Sequence, residues 1–166
     1  MKPISFQTSI ARLDYLKTFY LEIPASVVKK LGGFTAKLRL LCEVNKTVSF
    51  QCGLMALGEG KAYISISSKR MKEAGAAYGD TVHVTLSEDK SEYGTDVPEE
   101  LAELLRQDPE GKRRFELLTP GKKRYILNYV ASVKNPQLRA DRAFLLIGNL
   151  KNLPEGKESF REMLGK

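Results

Sequence analysis

The chain has 166 residues and a formal net charge of +7, with 42% hydrophobic and 28% charged residues. That length suits one domain or a compact domain with an appendage, and the balance is globular rather than disordered. No run approaches the ~18 consecutive apolar residues of a membrane-spanning helix. The start, Met1-Lys2-Pro3-Ile4-Ser5-Phe6, lacks a signal peptide's apolar stretch. No membrane insertion is therefore expected, and the cytoplasm is the default location.

The first half reads as short strands with helical interruptions. Phe6, Thr8 and Ile10 alternate with their neighbours as a half-buried strand does. Phe19 to Ile23 is a second strand, ended by Pro24, and proline suits the first position of a short helix over 24–31. Gly32-Gly33 stops that helix, because glycine adopts the left-handed conformation without a Cβ clash. Leu38–Val44 and Val48–Leu54 form a hairpin across Asn45-Lys46; Gly58-Glu59-Gly60 turns into Tyr63–Ile66; Val82, Val84 and Leu86 mark a last strand. Cys42 and Cys52 fall on apolar strand faces, where a thiol packs as a small hydrophobe. A disulfide between the two strands is the other reading, and the sequence does not fix the register it needs.

Shifted by 43 positions, Tyr20-Leu21-Glu22-Ile23-Pro24 lies over Tyr63-Ile64-Ser65-Ile66-Ser67, Val28-Lys29 over Met71-Lys72, and Gly32 over Gly75. After one extra residue, Leu38 and Leu40 correspond to Val82 and Val84. Each copy reads strand, short helix, glycine, strand. Neither could bury its apolar face alone, so the two are expected to pair about a pseudo-two-fold axis and close a small, partly open β-barrel.

After Leu86 the composition shifts. Ser87–Ser91 is polar, Gly94–Pro98 reads as a linker, and Pro98-Glu99-Glu100 opens a helix with acids where the macrodipole favours them. Asp108-Pro109 starts a second helix, carrying Phe115 and Leu118 on its apolar side. Thr119-Pro120 starts a third, with Tyr125, Ile126, Tyr129, Val130 and Val133 as one stripe. Asn135-Pro136 starts a fourth, in which Ala143, Ile147 and Leu150 share a face, and 155–166 reads as a loosely attached end. The fold class is α+β: a barrel over residues 1–95, then a helical region over 96–166.

The segment Thr119-Pro120-Gly121-Lys122-Lys123-Arg124-Tyr125, followed by Tyr129-Val130-Ala131, Lys134, Arg139 and Arg142, resembles the bacteriocin-protection, YdeI/OmpD-associated family. Tyr20 to Pro24, Leu31-Gly32 and Gly79-Asp80-Thr81-Val82-His83-Val84 resemble the uncharacterised barrel domain that often precedes it. Family members often carry tryptophan where Tyr129 stands, and threonine where Leu138 stands. The resemblance implies a bacterial protein linked by family name to bacteriocin tolerance; it implies no reaction and no cofactor.

No catalytic constellation stands out, and the chain leans away from being an enzyme. His83 sits between Val82 and Val84 with no Cys, His or acid at ligand spacing, so no metal site is expected. No nucleophile elbow, Walker-A loop or dinucleotide fingerprint occurs. Residues 106–142 hold ten Lys/Arg against four acids, an excess that suits an anionic ligand, an acidic protein surface or nucleic acid, or simply a solvated face. The candidate anion-binding residues are Lys122, Lys123, Arg124, Lys134, Arg139 and Arg142. Either the two arginines, three apart on one helix side, fork onto a carboxylate or phosphate, or they pair with barrel acids and dock the tail. Tyr125 and Tyr129 either stack on bases or pack in the core. The leading reading is a non-catalytic binding or protective module. The alternative is a nucleic-acid-binding regulator, because the repeat resembles the swapped-hairpin barrels of AbrB-type regulators. A small enzyme acting on an anionic metabolite is the third. The sequence leaves the oligomeric state open.

Overall fold

The alternation at Phe6, Thr8 and Ile10 belongs to a ten-residue strand, β1 (Ile4–Leu13). The computed structural model describes residues 1–15, 17–34 and 38–166, in two compact units, Met1–Lys90 and Ser91–Lys166. The first continues with β2 (Thr18–Ile23), α1 (Ala25–Lys30), β3 (Leu40–Val44), β4 (Val48–Cys52), β5 (Met55–Gly58), β6 (Lys61–Ser65), α2 (Ser68–Glu73) and β7 (Thr81–Glu88). The strand predicted through Leu54 stops at Cys52, and β5 was not legible in the sequence pattern.

The strands run in the order β4-β3-β7-β1-β2-β6-β5, and every pairing is antiparallel. The two ends of that order, β4 and β5, are joined by Gly53-Leu54 alone. A two-residue link cannot span an open seven-stranded sheet, so the sheet curls until its edges meet. The result is a partly open barrel, unpaired between β4 and β5 among the described residues.

The predicted pseudo-two-fold is present in the register. In the β2–β6 pair Leu21 faces Ile64, flanked by Tyr20 with Ser65 and Glu22 with Tyr63. In the β3–β7 pair Cys42 faces Leu86, flanked by Leu40 with Glu88 and Val44 with Val84. Strands equivalent in the repeat are thus hydrogen-bonded to each other, and the axis passes through both central pairs. β1 bonds β7 along its first part and β2 along its second. β4 and β5 do the same in two pieces, bonding β3 and β6, so they are together the mate of β1. The short helices also match. Gly32 and Gly75 take φ of +88° and +64°. Gly33 N–H then reaches the Val28 carbonyl as Ala76 N–H reaches that of Met71, the same Schellman closure twice. The core holds Leu21, Ile23, Leu40, Cys42, Val44, Ile64, Val82, Val84 and Leu86, all at most 1% exposed. His83 lies half-buried on the outward side of β7, as its neighbours predict.

The second unit contains α3 (Glu99–Gln107), α4 (Pro109–Leu117), α5 (Pro120–Ala131), α6 (Pro136–Asn152) and α7 (Phe160–Met163). Side chains of Asp108, Thr119 and Asn135 accept the N–H groups of Gly111, Lys122 and Leu138, each just ahead of a proline that needs no partner. The α6 helix packs against the other four around Leu101, Phe115, Ile126, Leu127, Val130, Leu146, Ile147 and Leu150. Gly111 lets α4 come close, for a Cβ there would lie 2.6 Å from Ile147 Cγ2.

Three expectations are corrected. The buried stripe of α5 is Ile126, Leu127 and Val130, with Tyr125 and Tyr129 half-buried at its edge and Val133 beyond the helix end. Segment 91–98 is fastened rather than free: the Tyr93 ring meets Phe115 edge-on at 5.5 Å, and Thr95 Oγ1 donates to Asn128 Oδ1 at 2.9 Å. The end of the chain is anchored too, with Met163 fully buried and a Ser159–Glu162 capping box opening α7.

Candidate functional site

The eight residues singled out from the sequence separate into two groups along α5. At its N-terminus Lys123 Nζ meets Glu116 at 2.6 Å, above the rings of Tyr93 and Phe115. Lys122 Nζ lies 3.6 Å from Glu158. Cations in a first helical turn oppose the macrodipole, and these two are answered by carboxylates of their own unit. Glu116 also accepts from the Tyr93 hydroxyl at 2.6 Å. Burial acts to raise the Glu116 carboxyl, but the Lys123 and Tyr93 hydrogen bonds outweigh it and hold the group below its ordinary range. Burial, reinforced by the bond to Glu116, pushes the Tyr93 phenol up. Arg124 is half-buried and has no ion pair among the described residues.

At the other end of α5 the arginines gather around the turn into α6. Arg142 Nη1 donates to the Tyr129 carbonyl at 2.8 Å and to Ser132 Oγ at 2.7 Å, with its guanidinium 4.3 Å above the Tyr129 ring. Arg139 Nε donates to the Val133 carbonyl at 2.7 Å, and its Nη1 lies 3.8 Å from Glu100. These acceptors include carbonyls that a helix C-terminus leaves unpaired, at its electronegative end. The two arginines are therefore held by α5 and α3, and all these partners lie within 91–166; none is a barrel acid. Among the described residues Arg142 makes its hydrogen bonds through Nη1. Its Nε–Nη2 edge, the one that grips a carboxylate or phosphate in a fork, has no hydrogen-bond partner among the described residues. Lys134 stands exposed in the same turn with no ion pair among them.

The tyrosines run between the two groups. Phe160 stacks on Tyr125 at 3.8 Å, Tyr125 on Tyr129 at 6.1 Å, and Arg142 covers Tyr129. Each tyrosine ring thereby meets two other groups of the unit.

One buried ionic cluster escaped the sequence reading. Arg114, 4% exposed, donates to the carbonyls of Lys151 at 3.1 Å and Leu153 at 2.6 Å, and meets Glu158 at 3.3 Å. Glu158 is itself 5% exposed. Burial acts to raise its carboxyl, but backbone N–H groups, Gly156 among them, and Arg114 outweigh that and lower it. The signal was present: Gly111, Arg114, Phe115 and Leu118 share one helix face, and a lone cation on an apolar face needs buried partners. Among the described residues no group of three His, Cys, Asp or Glu could hold a metal ion, and no helix is long and apolar enough to cross a membrane.

The molecule is thus of a two-unit class, a two-fold β-barrel followed by a helical unit with cations gathered at one interhelical turn. Residues 95–152 match the family described as "Bacteriocin-protection, YdeI or OmpD-Associated", and residues 6–86 match the "Domain of unknown function (DUF1905)". The chain thus carries a segment similar to the YdeI/OmpD-associated family, preceded by one that matches the barrel domain of unknown function. No curated protein matches it. The family match ends at Asn152, so Glu158 and Phe160, which engage Lys122 and Tyr125, come from beyond it.

Proposed function

We propose that the protein is a non-catalytic binding module of protective type, acting in the cytoplasm, whose helical unit takes an anionic group at the α5–α6 turn. The observation that carries this is the unpartnered Nε–Nη2 edge of Arg142. Ring stacking and two hydrogen bonds fix the guanidinium, so little side-chain freedom is lost on binding. Lys134 adds charge beside it, and Arg139 holds the turn. The family description is the ground for a protective role.

Nucleic acid is the second reading, favoured by the two-fold barrel and the net charge of +7. Against it, the tyrosines already stack on Phe160 and on each other, with Arg142 over Tyr129. Fluorescence anisotropy of a labelled acidic peptide and of labelled mixed-sequence DNA, at low and near-physiological salt, tests both. The first reading expects the peptide to bind about tenfold more weakly to Arg142→Lys, which keeps the charge and loses the fork. Peptide binding indifferent to Arg142→Lys and to Lys134→Ala refutes it. DNA binding that falls steeply with salt while the peptide fails to bind moves the function to the second reading.

A further inference from the structure

Both cysteines of the chain lie on the β3–β4 hairpin. Cys42 faces Phe50 and Leu40 faces Cys52, so the cysteines are diagonal neighbours on one face of the hairpin. Cys42 is fully buried; Cys52 is half-buried and borders the Gly53-Leu54 break in the barrel. The Arg70 guanidinium sits 4.1 Å above the Phe50 ring, the residue facing Cys42, which places a cation beside the pair. A nearby cation favours a thiolate. The hydrogen bond to Cys52, and after it burial, push the Cys42 thiol up. That leaves the more accessible Cys52 as the group that meets an oxidant first.

We propose that Cys42 and Cys52 form a reversible dithiol–disulfide pair that fastens the barrel beside its Gly53-Leu54 break, with a low-molecular-weight disulfide as oxidant. The Cys52 thiolate attacks one sulfur of the small disulfide. Its S–S bond breaks, one small thiolate leaves, and Cys52 carries the other half as a mixed disulfide. Cys42 gives up its proton, attacks the Cys52 sulfur and expels the second small thiolate. Two protein thiols are oxidised to one disulfide, one small disulfide is reduced to two thiols, and the departing thiolates take up the two protons. Diagonal Cα atoms on paired strands stand about 7–8 Å apart, beyond the roughly 5.5–6 Å usual for a disulfide. The strands must close up to form the bond, and a strained disulfide is readily reduced, which makes the pair a switch rather than a fixed staple.

The test uses the full chain incubated with graded oxidised glutathione, quenched in acid, alkylated with iodoacetamide and weighed intact. The proposal expects a species lighter by two hydrogens that takes up no alkyl group and returns to the dithiol with excess dithiothreitol. Cys42→Ser is expected to stop at a glutathione adduct on Cys52; should that variant not fold, Cys42→Ala occupies the same buried place. Cys52→Ser is expected to form neither disulfide nor adduct while native. A wild-type chain that remains fully alkylatable overturns the proposal. So does one that keeps its glutathione adduct on Cys52, or that links two chains through Cys52.

Discussion

Arg114→Leu removes the donor that three acceptors share. The carbonyls of Lys151 and Leu153 at the end of α6 lose their side-chain donor, and the buried Glu158 carboxylate is left with Lys122 at 3.6 Å and backbone N–H groups, Gly156 among them. Breaking a buried ion pair from one side costs about 3–5 kcal/mol, because the remaining charge stays desolvated. Against the ~5–15 kcal/mol total stability of a typical domain that is a large share. Urea denaturation followed by far-ultraviolet circular dichroism reads it, since the helices supply most of that signal. Arg114→Leu with Glu158→Leu is expected to be more stable than Arg114→Leu alone, by roughly 1–3 kcal/mol, because the orphaned charge is gone. The pH dependence has a definite sign. The Glu158 carboxyl is held below its ordinary value, so its contribution is present at neutral pH and lost as pH falls through the folded value. In Arg114→Leu that acid limb moves to higher pH. A single-variant cost under about 1 kcal/mol with an unmoved acid limb refutes the assignment of Arg114 as the clamp of this unit.

Gly111→Ala brings a Cβ to 2.6 Å from Ile147 Cγ2 and 2.8 Å from the Asp108 carboxylate that caps α4; overpacking outweighs the helix-propensity gain, and a net loss of about 1–2 kcal/mol in the same denaturation assay is expected. Met163→Ala, at a fully buried site in the last helix, is expected to cost about 2–4 kcal/mol, whereas a loosely held end would show almost nothing. Tyr93→Phe removes the bond to Glu116 and is expected to cost about 1–2 kcal/mol, measured by urea midpoint. The Glu116 carboxyl is held low by Lys123 and by Tyr93, so in Tyr93→Phe its titration, followed by carboxyl NMR, is expected to move up.

The barrel was legible because its two halves carry the same pattern: Tyr20–Ile23 over Tyr63–Ile66 foretold strands that turn out to be bonded to each other. The α-helical boundaries at Asp108, Thr119 and Asn135 were legible from their capping side chains followed by proline. β5 was not, because Met55-Ala56-Leu57-Gly58 lies mostly exposed and has no inward alternation to read. The end of the chain escaped because its anchors, Glu158, Phe160 and Met163, are too sparse to form a period and act through Arg114, Tyr125 and Asn149, far away in sequence. The cation set was legible as residue types but not as a grouping. Sequence spacing cannot show that Lys122 and Lys123 are spent on Glu158 and Glu116, while Arg142 keeps one edge open.

The interleaving of the two barrel copies also sets an order of events in time. β1 bonds β7 from Ile4 with Leu86 onward, β2 bonds β6, and β3 bonds β7, so half of the six ladders join residues dozens of positions apart. Neither copy can complete its own sheet from its local hairpins, and long loops must close before the ladders that join the copies reward the chain. The helical unit is built from shorter-range contacts among neighbouring helices. On refolding from denaturant, helical dichroism should therefore recover in a fast phase, and amide protection in the barrel strands should follow in a slower one.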